Sequence, residues 1–339
     1  MQENKKAYFS VIITVFNLEN YIERGILSVL KQSFQDYELI IVNDGSTDNS
    51  LNVINELPKK NQKIKIINHE KNESQLIARI NGVQISQGKY IIFLDGDDLF
   101  IKDAFITLYN IIQKNPDYDI YEYGFLIKSS GQIVLPIVCN NDRFTSFFNN
   151  KYSSPLPSMV NKVYNADIIK HACSKMERAY ININQDSYQS IIISYYAKTC
   201  FYINMPIFYY SYGLGVSTSY RNLEKTVEYL EASKKVIYLV EIFLSNNNLD
   251  ISLDNLKFRK LAYTIDRYIM NQENIDDRKK LITMLPKYYD LNIILDYLYE
   301  VKEEINKIKL TYSTKYYKFG EFFLSPIRKL KHLIMKLKK

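Results

Sequence analysis

Over its first hundred residues the chain alternates between two hydrophobic periods. YFSVIITVF, residues 8 to 16, is a nearly continuous apolar run rich in β-branched residues, the pattern of a strand buried on both faces. The next stretch places Ile22, Ile26, Val29 and Leu30 at helical spacing. YELIIVN, IKIIN and YIIFL read as three more strands. Between them, STDNSLNVINEL reads as a helix capped by Ser46 or Thr47, with Asp48 in its first turn. SQLIARINGVQIS reads as a helix with Leu76, Ile80 and Val83 on one face, and KDAFITLYNIIQK as another. Strand and helix in this rhythm predict an α/β fold, a doubly wound and mostly parallel sheet covered on both faces.

The rhythm changes after Asp119. YEYGFLIKSSGQIVLPIV predicts a hairpin turning at Ser130-Gly131. IIKHACSKM and SYQSIIISYYAK read as helices, and CFYINMPIFYYSY as strand. From about Asn222 to Ile308 the chain reads as helical, with Leu230, Ile237, Leu239, Val240, Phe243 and Leu244 on a broad apolar face. These shifts divide the chain into an α/β domain over 1–220, a helical region over 221–310 and a tail over 311–339.

Charge isolates the tail. The net charge is +7, and residues 327 to 339 hold Arg328, Lys329, Lys331, Lys336, Lys338 and Lys339 with no acid, so the rest carries 7 − 6 = +1. The body therefore has no general affinity for polyanions, and no nucleic-acid partner is expected. In the tail Ile327, Leu330, Leu333, Ile334 and Leu337 share a helical face from which the basic residues mostly point away. Such a segment lies in the interface of an anionic membrane. The N-terminal ten residues lack the apolar core of a signal peptide, and no window of about 18 apolar residues exists, so the expected location is the cytoplasm, peripheral on the inner face of the plasma membrane. Cys139, Cys173 and Cys200 are scattered and odd in number, which suits reduced thiols. His69, His171 and His332 have no ligand-like spacing and read as surface or loop residues.

Two acidic turns carry the chemistry. NDGSTD and DGDD each follow a predicted strand, at the carboxyl edge where open α/β sheets bind ligands. Asp95, Asp97 and Asp98 repel one another and call for a cation. An EF-hand does not fit, because its sixth position would be Phe100 where glycine is required. A hard divalent ion, Mn²⁺ or Mg²⁺, held by one or two carboxylates and by substrate phosphates, does fit. Gly45 permits a tight turn that presents Asp44 to a base or ribose.

In five ordered blocks the chain resembles the inverting family 2 glycosyltransferases, which have the A-type nucleotide-sugar fold. These are SVIITVFNLENYIERGILSVLKQSFQDYELIIVNDGSTDNS, NESQLIARINGVQISQGKYIIFLDGDD, MVNKVYNADIIK, ININQDSYQS and IFYYSYGLGVSTS, spanning roughly Tyr8 to Tyr220. Thr14 replaces the family's usual proline, Asn43 the first of two aspartates, Ile80 a common asparagine, and Gln185 the glutamate before Asp186. The resemblance implies that Thr14, Phe16, Asn17, Asp44 and Arg79 hold the base and ribose of a nucleotide sugar. It implies that Asp95 serves the ribose, metal and diphosphate, that Asp97 contacts the metal directly, and that Asp186 is the general base. The implied partners are a nucleotide-sugar donor of the UDP-sugar class and a glycan or lipid-linked acceptor of bacterial surface polysaccharide. MVNKVYNADIIK resembles the acceptor-side block, and Tyr209, Tyr210 and Tyr212 are candidates for stacking on sugars. Two other readings stay open: a sugar nucleotidyltransferase, which lacks its glycine-rich phosphate loop here, and a non-catalytic binding protein on a transferase fold, for which Gln185 leaves room.

Overall fold

A computed structural model describes residues 6–56, 63–139, 142–151, 154–211, 222–269, 272 and 274–311, the side chains at 275, 302 and 304–311 excepted. The tail, Tyr212 and His332 lie outside the described residues. The chain falls into two compact units, Met1–Phe147 with Ser154–Ser219, and Phe148–Ser153 with Tyr220–Lys339.

The first unit is built on one sheet. β1 (Phe9–Val15) lies between β2 (Tyr37–Asn43) and β4 (Tyr90–Asp95), and β3 (Ile64–Asn68) pairs with β2, all in parallel. Every residue of β1 and β2 is buried, as the unbroken apolar runs predict for strands covered on both faces. α1 (Ile22–Leu30), α2 (Ser50–Glu56), α3 (Gln75–Ile85) and α4 (Ala104–Lys114) are the connecting helices. α2 starts later than its sequence suggests. Asp48, not Ser46 or Thr47, accepts the Ser50 N–H, at 2.9 Å, because Ser46 and Thr47 are drawn to Asn17. The parallel register sets Thr14 opposite both Val42 and Asp95. It therefore delivers the ends of β1, β2 and β4 to one edge.

Beyond β4 the sheet is mixed. β8 (Lys162–Asn165) is antiparallel to β4 and to β6 (Ile120–Ile127), and β9 (Cys200–Tyr210) is parallel to β6. β7 (Ile133–Val134) closes the predicted hairpin on β6, with Gly131 at φ +69° in its turn. β5 (Leu99–Phe100), which follows the DGDD turn, pairs with β9. The order from β4 to β5 is β4-β8-β6-β9-β5, four interstrand steps of about 4.8 Å each. The four residue steps from Asp95 to Leu99 span about 14 Å at most. The sheet must curl to bring β5 back, and the curl wraps around the end of β4. Pairing of β8 with β4 stops at Ile92, so the last turn of β4 is left open on that side. α5 (Arg143–Asn149), α6 (Ala166–Ser174) and α7 (Gln185–Tyr196) complete this unit's described helices.

The second unit is helical, with α8 (Leu223–Asn246), α9 (Asp254–Thr264), α10 (Ile275–Met284) and α11 (Leu291–Thr311). Leu230, Ile237, Leu239, Val240, Phe243 and Leu244 of α8 are all buried, as their spacing predicts.

Candidate active site

The β1 and β2 turns brace each other. Asn17, left-handed at φ +53°, accepts the Thr47 N–H at 2.8 Å on its Oδ1 and donates its own N–H to Ser46 Oγ at 3.1 Å. Glu19 and Asp48 exchange a matching pair: Asp48 accepts the Glu19 N–H and Glu19 accepts the Asn49 N–H. Phe16, next to Asn17, is exposed, 41% accessible. Gly45 at φ +66° is required, since a Cβ there would lie 2.2 Å from the Lys71 carbonyl carbon.

Asp44 is almost wholly buried, and its oxygens are engaged within the chain. Oδ1 meets His69 Nδ1 at 2.8 Å and accepts the Glu73 N–H at 2.8 Å, and Oδ2 accepts the Ser74 N–H at 3.0 Å. His69 is therefore a loop residue, as its sequence setting suggests, but a buried partner of Asp44 and not a surface one. Its Nε2 faces Asn81 Nδ2 at 2.8 Å, and Arg178 donates to Asn81 Oδ1. With the amide oxygen taken by Arg178, Asn81 offers N–H to His69, so His69 carries its proton on Nδ1, toward Asp44.

The β4 turn is different. Arg79, on α3 and 1% accessible, donates through Nη2 to Asp95 Oδ1 at 3.0 Å and through Nη1 to Asp186 Oδ1 and to Gln189 Oε1. Burial alone would lower the Arg79 pKa, but Asp186 and Asp95 outweigh it and raise it, so the guanidinium stays charged. Asp186 opens α7 and Asp95 closes β4, so one buried guanidinium joins two carboxylates 91 residues apart in sequence. Each carboxylate side chain remains 30% accessible. Neither Asp95 Oδ2 nor Asp186 Oδ2 has a hydrogen-bond partner among the described residues. Gln75, one helical turn before Arg79, donates to the same Asp95 Oδ1 at 2.8 Å and to Thr14 Oγ1 at 3.3 Å.

Asp97 and Asp98 are crowded by this charge. Burial, then Asp95, pushes the Asp97 carboxyl up to about 6, with Arg24 pulling it back. Burial, with Asp95 and Asp97, raises Asp98 further, and its Oδ1 accepts the Ser211 N–H at 2.8 Å. Arg24 donates to the Asp97 backbone carbonyl, and no described side chain donates to its carboxylate. Among the described residues no group of three or more His, Cys, Asp or Glu is placed to hold a metal.

In the MVNKVYNADIIK block the lysine is held inside the fold. Lys162 is buried, and its ammonium donates to the carbonyls of Leu156 and Ser158 and to Asn161 Oδ1. Glu122 lies 3.7 Å away and is itself paired with Arg143. Burial pushes Lys162 down to about 8 against the pull of Glu122. The lysine thus anchors the loop before β8. Tyr209 is 38% accessible, while Tyr210 packs against Phe125, ring centroids 5.5 Å apart. Gln75 and Gln189 are site residues that sequence reading missed, and their signal was helical spacing: Gln75 is four residues before Arg79 and Gln189 three after Asp186.

The family model described as "Glycosyl transferase family 2" matches residues 10–171, which include both acidic turns and Arg79. An uncharacterized glycosyltransferase of Haemophilus influenzae is 41% identical over 106 residues, 31% of this chain and 42% of that one. Glycosyltransferase GlyA of Streptococcus pneumoniae is 27% identical over 215 residues, 59% of this chain and 30% of that one. The chain thus spans less than half the length of either relative. The crystal structure of S. aureus TarS 1-349 in complex with UDP-GlcNAc superposes with a TM-score of 0.56 at 16% identity, over 86% of this chain and 80% of that one. At that identity the likeness is one of fold. With its acidic turns and its curled sheet, the chain carries a glycosyl transferase family 2 domain over residues 10–171 and has the A-type fold.

Proposed function

We propose that this protein transfers a sugar, with inversion, from a UDP-sugar to a hydroxyl of a glycan or lipid-linked acceptor in bacterial surface polysaccharide synthesis. The observation that carries the reading is Arg79, which ties the end of β4 to the start of α7 and so sets a donor-side carboxylate beside an acceptor-side one. The family, the bacterial relatives and the TarS complex with UDP-GlcNAc support it.

Phe16, Asn17 and the braced β1 and β2 turns border the place of the base and ribose. A Mn²⁺ or Mg²⁺ ion held by Asp97 and Asp95 would neutralise charge on the departing diphosphate. Arg79 fixes Asp186 by Oδ1 and leaves Oδ2 to the acceptor. Asp186 Oδ2 takes the hydroxyl proton while the acceptor oxygen attacks the anomeric carbon. The electron pair of the breaking bond leaves with UDP. The basic amphipathic tail would hold the enzyme at an anionic membrane surface, near a lipid-linked acceptor; among the described residues no helix is long and apolar enough to cross a membrane.

The test is UDP release from a panel of UDP-sugars with acceptor and Mn²⁺, in the wild type and Asp186→Asn. Release by the wild type and a kcat about 10²-fold lower in the variant, with UDP affinity nearly unchanged, is expected. No release from any donor would overturn the reading, and a variant that keeps kcat but loses UDP would make Asp186 a binding residue.

A further inference from the structure

Asp95 Oδ1 is the meeting point of a closed ring of side chains. Gln75 and Arg79, one turn apart on α3, both donate to it. Arg79 continues to Asp186, and Gln75 continues through its Oε1, which accepts the Nε2 of Gln185. Gln185 and Asp186 are adjacent at the start of α7. Two neighbours on α7 are thus fastened to two neighbours on α3, and both of these to one oxygen of β4.

The polarity of the ring is forced. A carboxylate paired with a guanidinium only accepts, so Gln75 must turn its N–H₂ to Asp95 and Thr14 and its oxygen away. Whatever stands at 185 must then donate. A glutamine does so, and a carboxylate cannot. Glutamate at 185 would set oxygen against oxygen, or turn the Gln75 amide so that its oxygen faces Asp95, leaving a half-buried acceptor pair opposed. Arg79 holds α7 at Asp186 and Gln189, and the amide link at Gln185 is a separate attachment on the residue next to Asp186.

We infer that Gln75 and Gln185 are a matched positioning pair that holds Asp186 at a fixed setting from Asp95, and that residue 185 in this chain is an amide because residue 75 is one. This rests on the proposed function for its kinetic consequence, but the link itself is independent of it.

Two measurements test it. In the first, Gln185→Glu should lower kcat about tenfold, the scale of a half-buried polar group left opposed, with donor KM and melting temperature close to wild type. Gln75→Lys added to it should restore most of kcat, since a lysine donates to both Glu at 185 and Asp95. A Gln185→Glu variant with wild-type kcat overturns the pair, and so does a loss that tracks melting temperature and is not restored. In the second, Gln75→Ala, Gln185→Ala and the double variant are unfolded in urea. Linked residues give a double loss clearly smaller than the sum of the single losses. Additive losses overturn the link, even if no donor is ever turned over. A wild type without transfer activity and with non-additive losses would sink the function and leave the pair standing.

Discussion

The two acidic turns at the carboxyl edge of the sheet look alike in sequence and behave oppositely in the fold. In NDGSTD, Asp44 is buried and spends both oxygens on His69 and on the N–H groups of Glu73 and Ser74. In DGDD, Asp97 receives no described side-chain donor and sits above its ordinary range because it is buried and Asp95 crowds it. The first turn is a brace completed by the chain itself. The second leaves the Asp97 carboxylate without a described side-chain donor, which is why we propose a cation there. A carboxylate's neighbours, not its motif, decide which it is.

The largest effect that could break this contrast is on stability. Asp44→Ala strands the His69 N–H and two backbone N–H groups in a buried place, so it should cost about 3 kcal/mol in urea unfolding. A folded, fully stable variant that has merely lost UDP affinity would make Asp44 a donor contact and nothing more, as the family resemblance alone implies. A smaller effect sharpens the geometry of the brace. Ser74 sits at φ +93°, ψ 152° with its hydroxyl buried and unpartnered, a backbone region essentially reserved for glycine. Ser74→Gly should relieve that strain and gain about 1 kcal/mol after the entropic cost of glycine. A loss on the same measurement would show that the brace imposes no strain.

How much of this was legible in the sequence follows from where the partners lie. The parallel half of the sheet was readable because each strand is a short, mostly apolar run and each helix shows its own period. The grouping of Arg79, Asp95 and Asp186 was readable only through the family's ordered blocks, since 107 residues separate Arg79 from Asp186. The return of β5 to β9 was not readable, because a two-residue strand has no period. Nor was the engagement of Asp44: His69, Glu73 and Ser74 stand 25 to 30 residues away, and a histidine after a strand carries no local sign of burial. The Glu122, Arg143 and Lys162 cluster was missed for a related reason. Charged residues in strand and helix read as solvent-facing until a folded neighbour pairs them.

The central claim, that the β4 turn awaits a cation and a diphosphate while the β2 turn does not, is tested most directly by calorimetry of UDP binding with and without Mn²⁺, in the wild type and in Asp97→Ala. Asp97 has its carboxyl raised to about 6, so its charge is present above that pH and lost as pH falls through it; in metal-free protein that charge is a cost to stability which acidification relieves. The account predicts that Mn²⁺ tightens UDP binding to the wild type above about pH 6, that the gain fades below it, and that Asp97→Ala binds UDP equally weakly with and without the metal. An Asp97→Ala protein whose UDP affinity still rises with Mn²⁺ as the wild type's does would contradict it.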